Sequence, residues 1–175
     1  MTTEASIMPK VLVVCYSRSG RTRALGEALA ARLHADFEEI TEPHGRPGPV
    51  GVLRALADTV LRCEVRISPS QKDVAAYDVV VIGTPVWAGT LSAPVRAWLA
   101  TNRRKLRHVA FFCTRNLRRE SQVFADMARL TGKQPVACCT LAAHVRAEDE
   151  RRVVDVFVER IERKLVRIDN LKWAA

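Results

Sequence analysis

Apolar residues in this chain fall into short unbroken runs, separated by stretches in which they recur every three or four positions. The first run, Val11-Leu12-Val13-Val14-Cys15-Tyr16, is rich in β-branched residues and shows no polar alternation, which predicts a parallel strand buried on both faces. A polar segment follows, and Leu25, Ala28, Leu29 and Leu33 then mark one face of a helix. Asp36 to Thr41 predicts a second, edge-like strand, with a Gly/Pro-rich turn from His44 to Pro49 and a helix over Val50 to Leu61. Tyr77 to Gly83 predicts the third strand, closed by a loop through Pro94 and a helix near Val95 to Thr101. His108 to Cys113 predicts the fourth, with a helix from about Glu120 to Leu130, and Gln134 to Leu141 the fifth. Val154, Phe157, Val158, Ile161 and Leu165 form the stripe of a last amphipathic helix.

Strands alternating with helices predict an α/β domain: a five-stranded parallel sheet with right-handed crossovers and helices on both faces. Two arrangements suit five such units, the doubly wound order 2-1-3-4-5 and half of a dinucleotide fold. The length of 175 residues suits one domain, expected over residues 10–175, with residues 1–9 an extended or disordered segment. The start of the chain has no apolar signal-type core, and no apolar run is long enough to span a bilayer, so a cytoplasmic protein is expected. Cys15, Cys63, Cys113, Cys138 and Cys139 form no C-x-x-C pair, so neither a disulfide framework nor a metal site is indicated.

Charge changes the picture in one respect. The net charge is +9, with 11 Lys and Arg against 10 Asp and Glu in residues 1–100 but 17 against 9 in residues 101–175. A basic second half suits an anionic ligand, an acidic protein, nucleic acid or an anionic membrane surface, and equally a set of solvated helix faces.

The chemistry is expected in the loops. Ser17-Arg18-Ser19-Gly20-Arg21-Thr22 lacks the glycines of G-x-G-x-x-G and the Lys-Ser/Thr pair of a Walker loop. It offers short hydroxyls at Ser17, Ser19 and Thr22 and a permissive Gly20 where a helix begins, the requirements of a phosphate monoester seat. The plainer alternative is that Ser19 caps the helix. In the second loop, Thr84-Pro85-Val86-Trp87-Ala88-Gly89 puts an aromatic at the end of a buried strand, suited to cover a flat ring or simply to pack. His34, His44, His108 and His144 are scattered and fit surface or helix-end positions, and Cys113 fits a buried structural thiol.

On these residues, above all the run Tyr77-Asp78-Val79-Val80-Val81-Ile82-Gly83-Thr84-Pro85-Val86-Trp87-Ala88-Gly89, the chain resembles the flavodoxin family from Val11 to about Leu165. The resemblance implies that Ser17 to Thr22 is the phosphate loop of an FMN site and that Thr84 to Gly89 is its first ring loop. It also implies that the Ala88-Gly89 peptide lies near the flavin N5. The third loop departs from the family: Thr114-Arg115-Asn116-Leu117-Arg118-Arg119-Glu120-Ser121 replaces a small, glycine-containing stretch, and no second stacking aromatic follows. Thr114, Arg115 and Asn116 are the candidates for the pyrimidine edge, unless the arginines merely open a solvated helix.

Three functions are compatible with this reading. The first is an FMN-binding electron-transfer protein that serves a redox partner protein. The second is an NAD(P)H-dependent reductase passing electrons to a quinone or another small acceptor. The third is a flavin-free scaffold that binds an acidic partner through its basic half. Nucleic acid is disfavoured, because no recognised motif interleaves aromatics with the arginines.

Overall fold

A computed structural model describes residues 9–43, 65–115, 121–142 and 147–173. Its elements in chain order are β1 (Val11–Cys15), α1 (Arg21–Arg32), β2 (Asp36–Glu39), a 3-10 turn (Val74–Ala76), β3 (Val79–Trp87), β4 (Thr90–Leu91), α2 (Ala93–Asn102), β5 (His108–Arg115), α3 (Ser121–Thr131), β6 (Cys138–Ala142) and α4 (Ala147–Trp173). The N-terminal segment 1–8, the turn and helix expected over 44–61, and residues 116–120 lie outside the described residues.

The sheet runs β2-β1-β3-β5-β6 with every neighbour parallel. The expectation of five strands is corrected to six, because β4 pairs antiparallel with the end of β3. The five parallel strands keep the doubly wound order, which reverses direction at β1 and β3.

Two apolar layers explain the unbroken runs. Val11, Val13, Val79, Val81, Ala110 and Phe112 meet Leu25 and Leu29 of α1 and Val154, Phe157 and Ile161 of α4 on one face. Leu12, Val14, Val80, Ile82, Val109 and Phe111 meet Val95, Trp98 and Leu99 of α2 and Val123 and Met127 of α3 on the other. A strand covered on both faces must be apolar at every position. Glycine is required at Gly83, since a β-carbon there would lie 2.0 Å from Phe112 Cζ.

Helix α1 ends where His34 takes φ 48°. Its N–H donates to Ala31 O at 3.4 Å and that of Ala35 to Ala30 O at 2.9 Å, the paired bonds of a left-handed helix closure. Strands β3 and β5 run further than the apolar pattern predicts, so Thr84 to Trp87, and Thr114 with Arg115, are strand residues rather than loop. Strand β6 starts four residues later than expected.

Candidate functional site

Parallel pairing brings the ends of β1, β3, β5 and β6 to one edge, with Cys15 opposite Gly83, Pro85 opposite Thr114 and Arg115 opposite Ala142. The β1–α1 loop opens onto this edge beside the reversal point of the sheet. Gly20, not Ser19, is the residue before α1, and it takes φ 84°. The expectation that Ser19 caps the helix is therefore replaced: the cap residue has no side chain to satisfy the first turn. An added β-carbon at Gly20 would meet nothing within 4 Å, so conformation rather than space calls for glycine.

The first turn of α1 contains no acidic residue, while Arg21 and Arg23 lie in it and Arg18 just before it. Cations at the positive end of a helix dipole are unfavourable unless an anion joins them, and Arg23 is already joined by Glu27 at 2.8 Å and Glu39 at 3.1 Å. Ser17 Oγ is buried and has no hydrogen-bond partner. Buried hydroxyls are nearly always paired, so this one marks a place for an acceptor. Arg21 Nη2 donates to Ala142 O at 2.6 Å, which ties the loop to the end of β6.

Thr22 is used differently from the expectation. It is buried, and its Oγ1 lies 2.7 Å from Thr114 Oγ1, joining the first turn of α1 to the end of β5. Thr84 is also withdrawn into the fold: fully buried, its Oγ1 donates to Pro85 O at 3.0 Å and accepts from Ser92 N at 3.1 Å. These bonds tie the β3–β4 hairpin to the start of α2. Arg96 Nη2 adds a 3.4 Å bond to Thr90 Oγ1.

Val86 pairs with Leu91 and Trp87 with Thr90, so Ala88 and Gly89 form a two-residue hairpin turn. Both have positive φ, 50° for Ala88 and 75° for Gly89, as a type I′ turn demands. A β-carbon in that region costs about 1–2 kcal/mol, so Ala88 holds strain at the tip of the cleft. Trp87 is half-buried and meets Tyr16 edge to face, with ring centroids 6.0 Å apart and planes at 85°. Arg115 closes the third side at the end of β5, half-buried, and Asn116 lies outside the described residues.

Sequence reasoning missed Tyr16 as a site residue, although it stands directly before the loop. Its hydroxyl donates to Glu42 Oε1 at 3.1 Å. Burial, and then the Glu42 carboxylate, push this phenol up to about 12. Burial, with Glu39 and Glu27 adding to it, likewise pushes the Cys15 thiol to about 12. Both stay protonated at neutral pH, so neither acts as nucleophile or base. Together these residues set an unpartnered hydroxyl at a helix start beside an aromatic wall, an arrangement chemically able to hold an anion.

The architecture has counterparts among solved structures. A Lactobacillus acidophilus flavoprotein in complex with FMN is 20% identical, aligning over 75% of this chain and 93% of that one with a TM-score of 0.67. This chain has the flavodoxin-like fold. Oxidised flavodoxin 1 from Bacillus cereus aligns over 87% of this chain and 97% of its own at 13% identity and TM-score 0.56. Rubredoxin oxygen:oxidoreductase from Desulfovibrio gigas aligns over 96% of this chain and 38% of its own, at 14% identity and TM-score 0.60. No family model matches the sequence, and no curated protein matches it. In this flavodoxin-like chain the β1–α1 loop and the β3–β4 hairpin frame the sheet-reversal crevice, where doubly wound sheets take their ligands.

Proposed function

We propose that this protein binds FMN in the crevice between the Ser17–Gly20 loop and Trp87 and works in electron transfer. The observation that carries the proposal is the buried, unpartnered Ser17 Oγ before a helix whose first turn has no acidic residue. A phosphate monoester supplies an acceptor oxygen to that hydroxyl and a negative charge to the helix start. The solved FMN complex of the same fold supports the choice of ester.

In this arrangement Ser17, Ser19 and the first N–H groups of α1 hold the phosphate, with Arg18 and Arg21 beside it. Trp87 flanks the ring, and the strained Ala88-Gly89 turn lies at its edge. Thr22 acts indirectly, by fixing the helix start on Thr114. Bound FMN supplies reversible one- and two-electron chemistry, and the chain supplies orientation and electrostatics. Arg115 places positive charge at the third side of the crevice, which favours a reduced ring bearing negative charge.

Titration of the FMN-free protein with FMN and with riboflavin, followed by flavin fluorescence, tests this. Ser17→Ala removes one hydrogen bond to a charged group, about 1.5–3 kcal/mol, so FMN affinity should fall roughly 10- to 100-fold and riboflavin affinity should not change. Equal binding of the two flavins by the unaltered protein would refute the phosphate seat. NAD(P)H oxidation by the loaded protein then separates a carrier, which turns over slowly, from a reductase. Failure to bind any flavin leaves the scaffold function.

A further inference from the structure

Part of the basic excess of the second half, Arg103, Arg104, Lys105 and Arg107, stands just before β5 at the amino edge of the sheet, opposite the crevice. Helix α4 starts at the carboxyl edge after β6 and runs to the amino edge, where Lys172 Nζ lies 2.9 Å from Asp78 Oδ2. The same carboxylate accepts from Lys10 N at 2.9 Å and Arg107 Nη1 at 3.4 Å. One buried acid thus fixes the end of α4 against the starts of β1, β3 and β5. Around that point Arg103, Arg104 and Lys105 are exposed on the turn between α2 and β5.

Arg160, Lys164, Arg167 and Leu171 follow at i, i+4, i+7 and i+11, a single face of α4. Lys164 lies close to the start of β5, since burial first, and then the charges of Lys164 and Lys133, hold His108 below the usual imidazole range. Bases outnumber carboxylates at this pole. Asp36 accepts from Tyr77 Oη at 2.7 Å and pairs with Lys72, Asp78 is buried, Asp73 accepts from Ala75 N at 3.2 Å, and from Arg160 to the end of α4 only Glu162 and Asp169 stand against Arg160, Arg163, Lys164, Arg167 and Lys172.

Among the described residues, every exposed large hydrophobic side chain lies on α4, and exposure rises toward its end: 41% at Val153, 59% at Val166, 70% at Leu171 and 73% at Trp173. Among the described residues no helix is long and apolar enough to cross a membrane. An indole and a leucine at a helix tip, surrounded by lysines and arginines from several elements, combine the two signals that hold a protein on a bilayer. Nucleic acid would satisfy the charges but gives the exposed Leu171 and Trp173 no apolar medium, whereas an anionic bilayer offers both over the whole pole at once.

We propose that this pole docks on an anionic lipid bilayer, with Trp173 and Leu171 at headgroup level and the surrounding basic side chains on lipid phosphates. The docked protein carries its crevice on the far side. Strand β3 alone spans nine residues, roughly 30 Å at about 3.3 Å per residue. If the crevice holds FMN, as proposed above, the ring faces the solution and exchanges electrons with a partner there.

The test uses the whole chain and vesicles of phosphatidylcholine, with or without phosphatidylglycerol, and reads sedimentation rather than flavin. Partition onto the anionic vesicles alone, reversed by salt, is expected. Lys164→Gln with Arg167→Gln should weaken it about fivefold per residue, and Trp173→Ala about tenfold. Circular dichroism verifies the fold of each variant. Brominated lipid should quench the tryptophan emission of the unaltered protein, and Trp173→Phe should abolish the quenching, a readout independent of charge. Equal partition onto neutral vesicles, no partition at low salt, or capture by double-stranded DNA or polyglutamate in place of vesicles would each overturn the proposal.

Discussion

The hydroxyl pair between Thr22 and Thr114 joins the helix at the proposed phosphate seat to the strand that closes the crevice, and its contribution can be separated by a double-mutant cycle. The two oxygens lie 2.7 Å apart, and the residues are only 2% and 6% exposed. Replacing either threonine by valine keeps the branched shape and strands the other hydroxyl in the interior. A buried polar group left without a partner costs about 1–3 kcal/mol, whereas removing both partners together is close to neutral. Each single variant should therefore lose roughly 2 kcal/mol, and the double variant no more than about 1. Urea unfolding is the assay, with an unchanged m-value showing that the unfolded state is not altered. At this chain length each kcal/mol lowers the melting temperature by about 2–4 °C, which gives a second measure. If the double variant loses the sum of the singles to within about 0.5 kcal/mol, the hydroxyls are not coupled and the reasoning is refuted. The double variant should also hold FMN far better than Ser17→Ala does, because Thr22 spends its hydroxyl on Thr114.

Gly83→Ala places a β-carbon 2.0 Å from Phe112 Cζ, and should destabilise by about 3 kcal/mol or more; partial rescue by Phe112→Leu in urea melts would identify the clash as the cause. His34→Gly relieves the φ of 48° at the end of α1, a net gain of about 0.5–1 kcal/mol after the entropy cost of glycine, and a melting temperature that falls instead would contradict it. Burial raises the pKa of Asp78, but the bonds and charges of Lys172, Lys10 and Arg107 outweigh it, so its carboxyl titrates below the usual range. Because the folded value is depressed, this stabilisation is complete above the unfolded carboxylate pKa of about 3.9 and fades as pH falls through the folded value. Asp78→Asn should cost about 2 kcal/mol at neutral pH and show a shallower acid dependence, which a pH series of thermal melts will reveal. Arg115→Gln should shift the potential of bound FMN to more negative values in a dye-coupled titration, and an unchanged potential would remove Arg115 from the ring's electrostatics.

Alternation of apolar runs with helical stripes was enough to show an α/β domain with its loops at the carboxyl edge. That pattern reports only whether neighbours at i+2 or at i+3 and i+4 share a buried face, and Val79 to Ile82 or Phe157 and Ile161 answer it locally. The extension of β3 to Trp87 and of β5 to Arg115 escaped it, because Thr84-Pro85 and Thr114-Arg115 interrupt the apolar runs and these ends are held by pairing with other strands. The αL turn at Ala88 escaped it too, since alanine gives no local sign of a positive φ. The partners of Thr22 and Asp78 lie 92 and up to 94 residues away, and only sheet order and register bring them together. Ser17 and Thr22 are alike as sequence, but packing gives Thr22 of α1 the Thr114 hydroxyl of β5 and leaves the Ser17 Oγ buried without a partner.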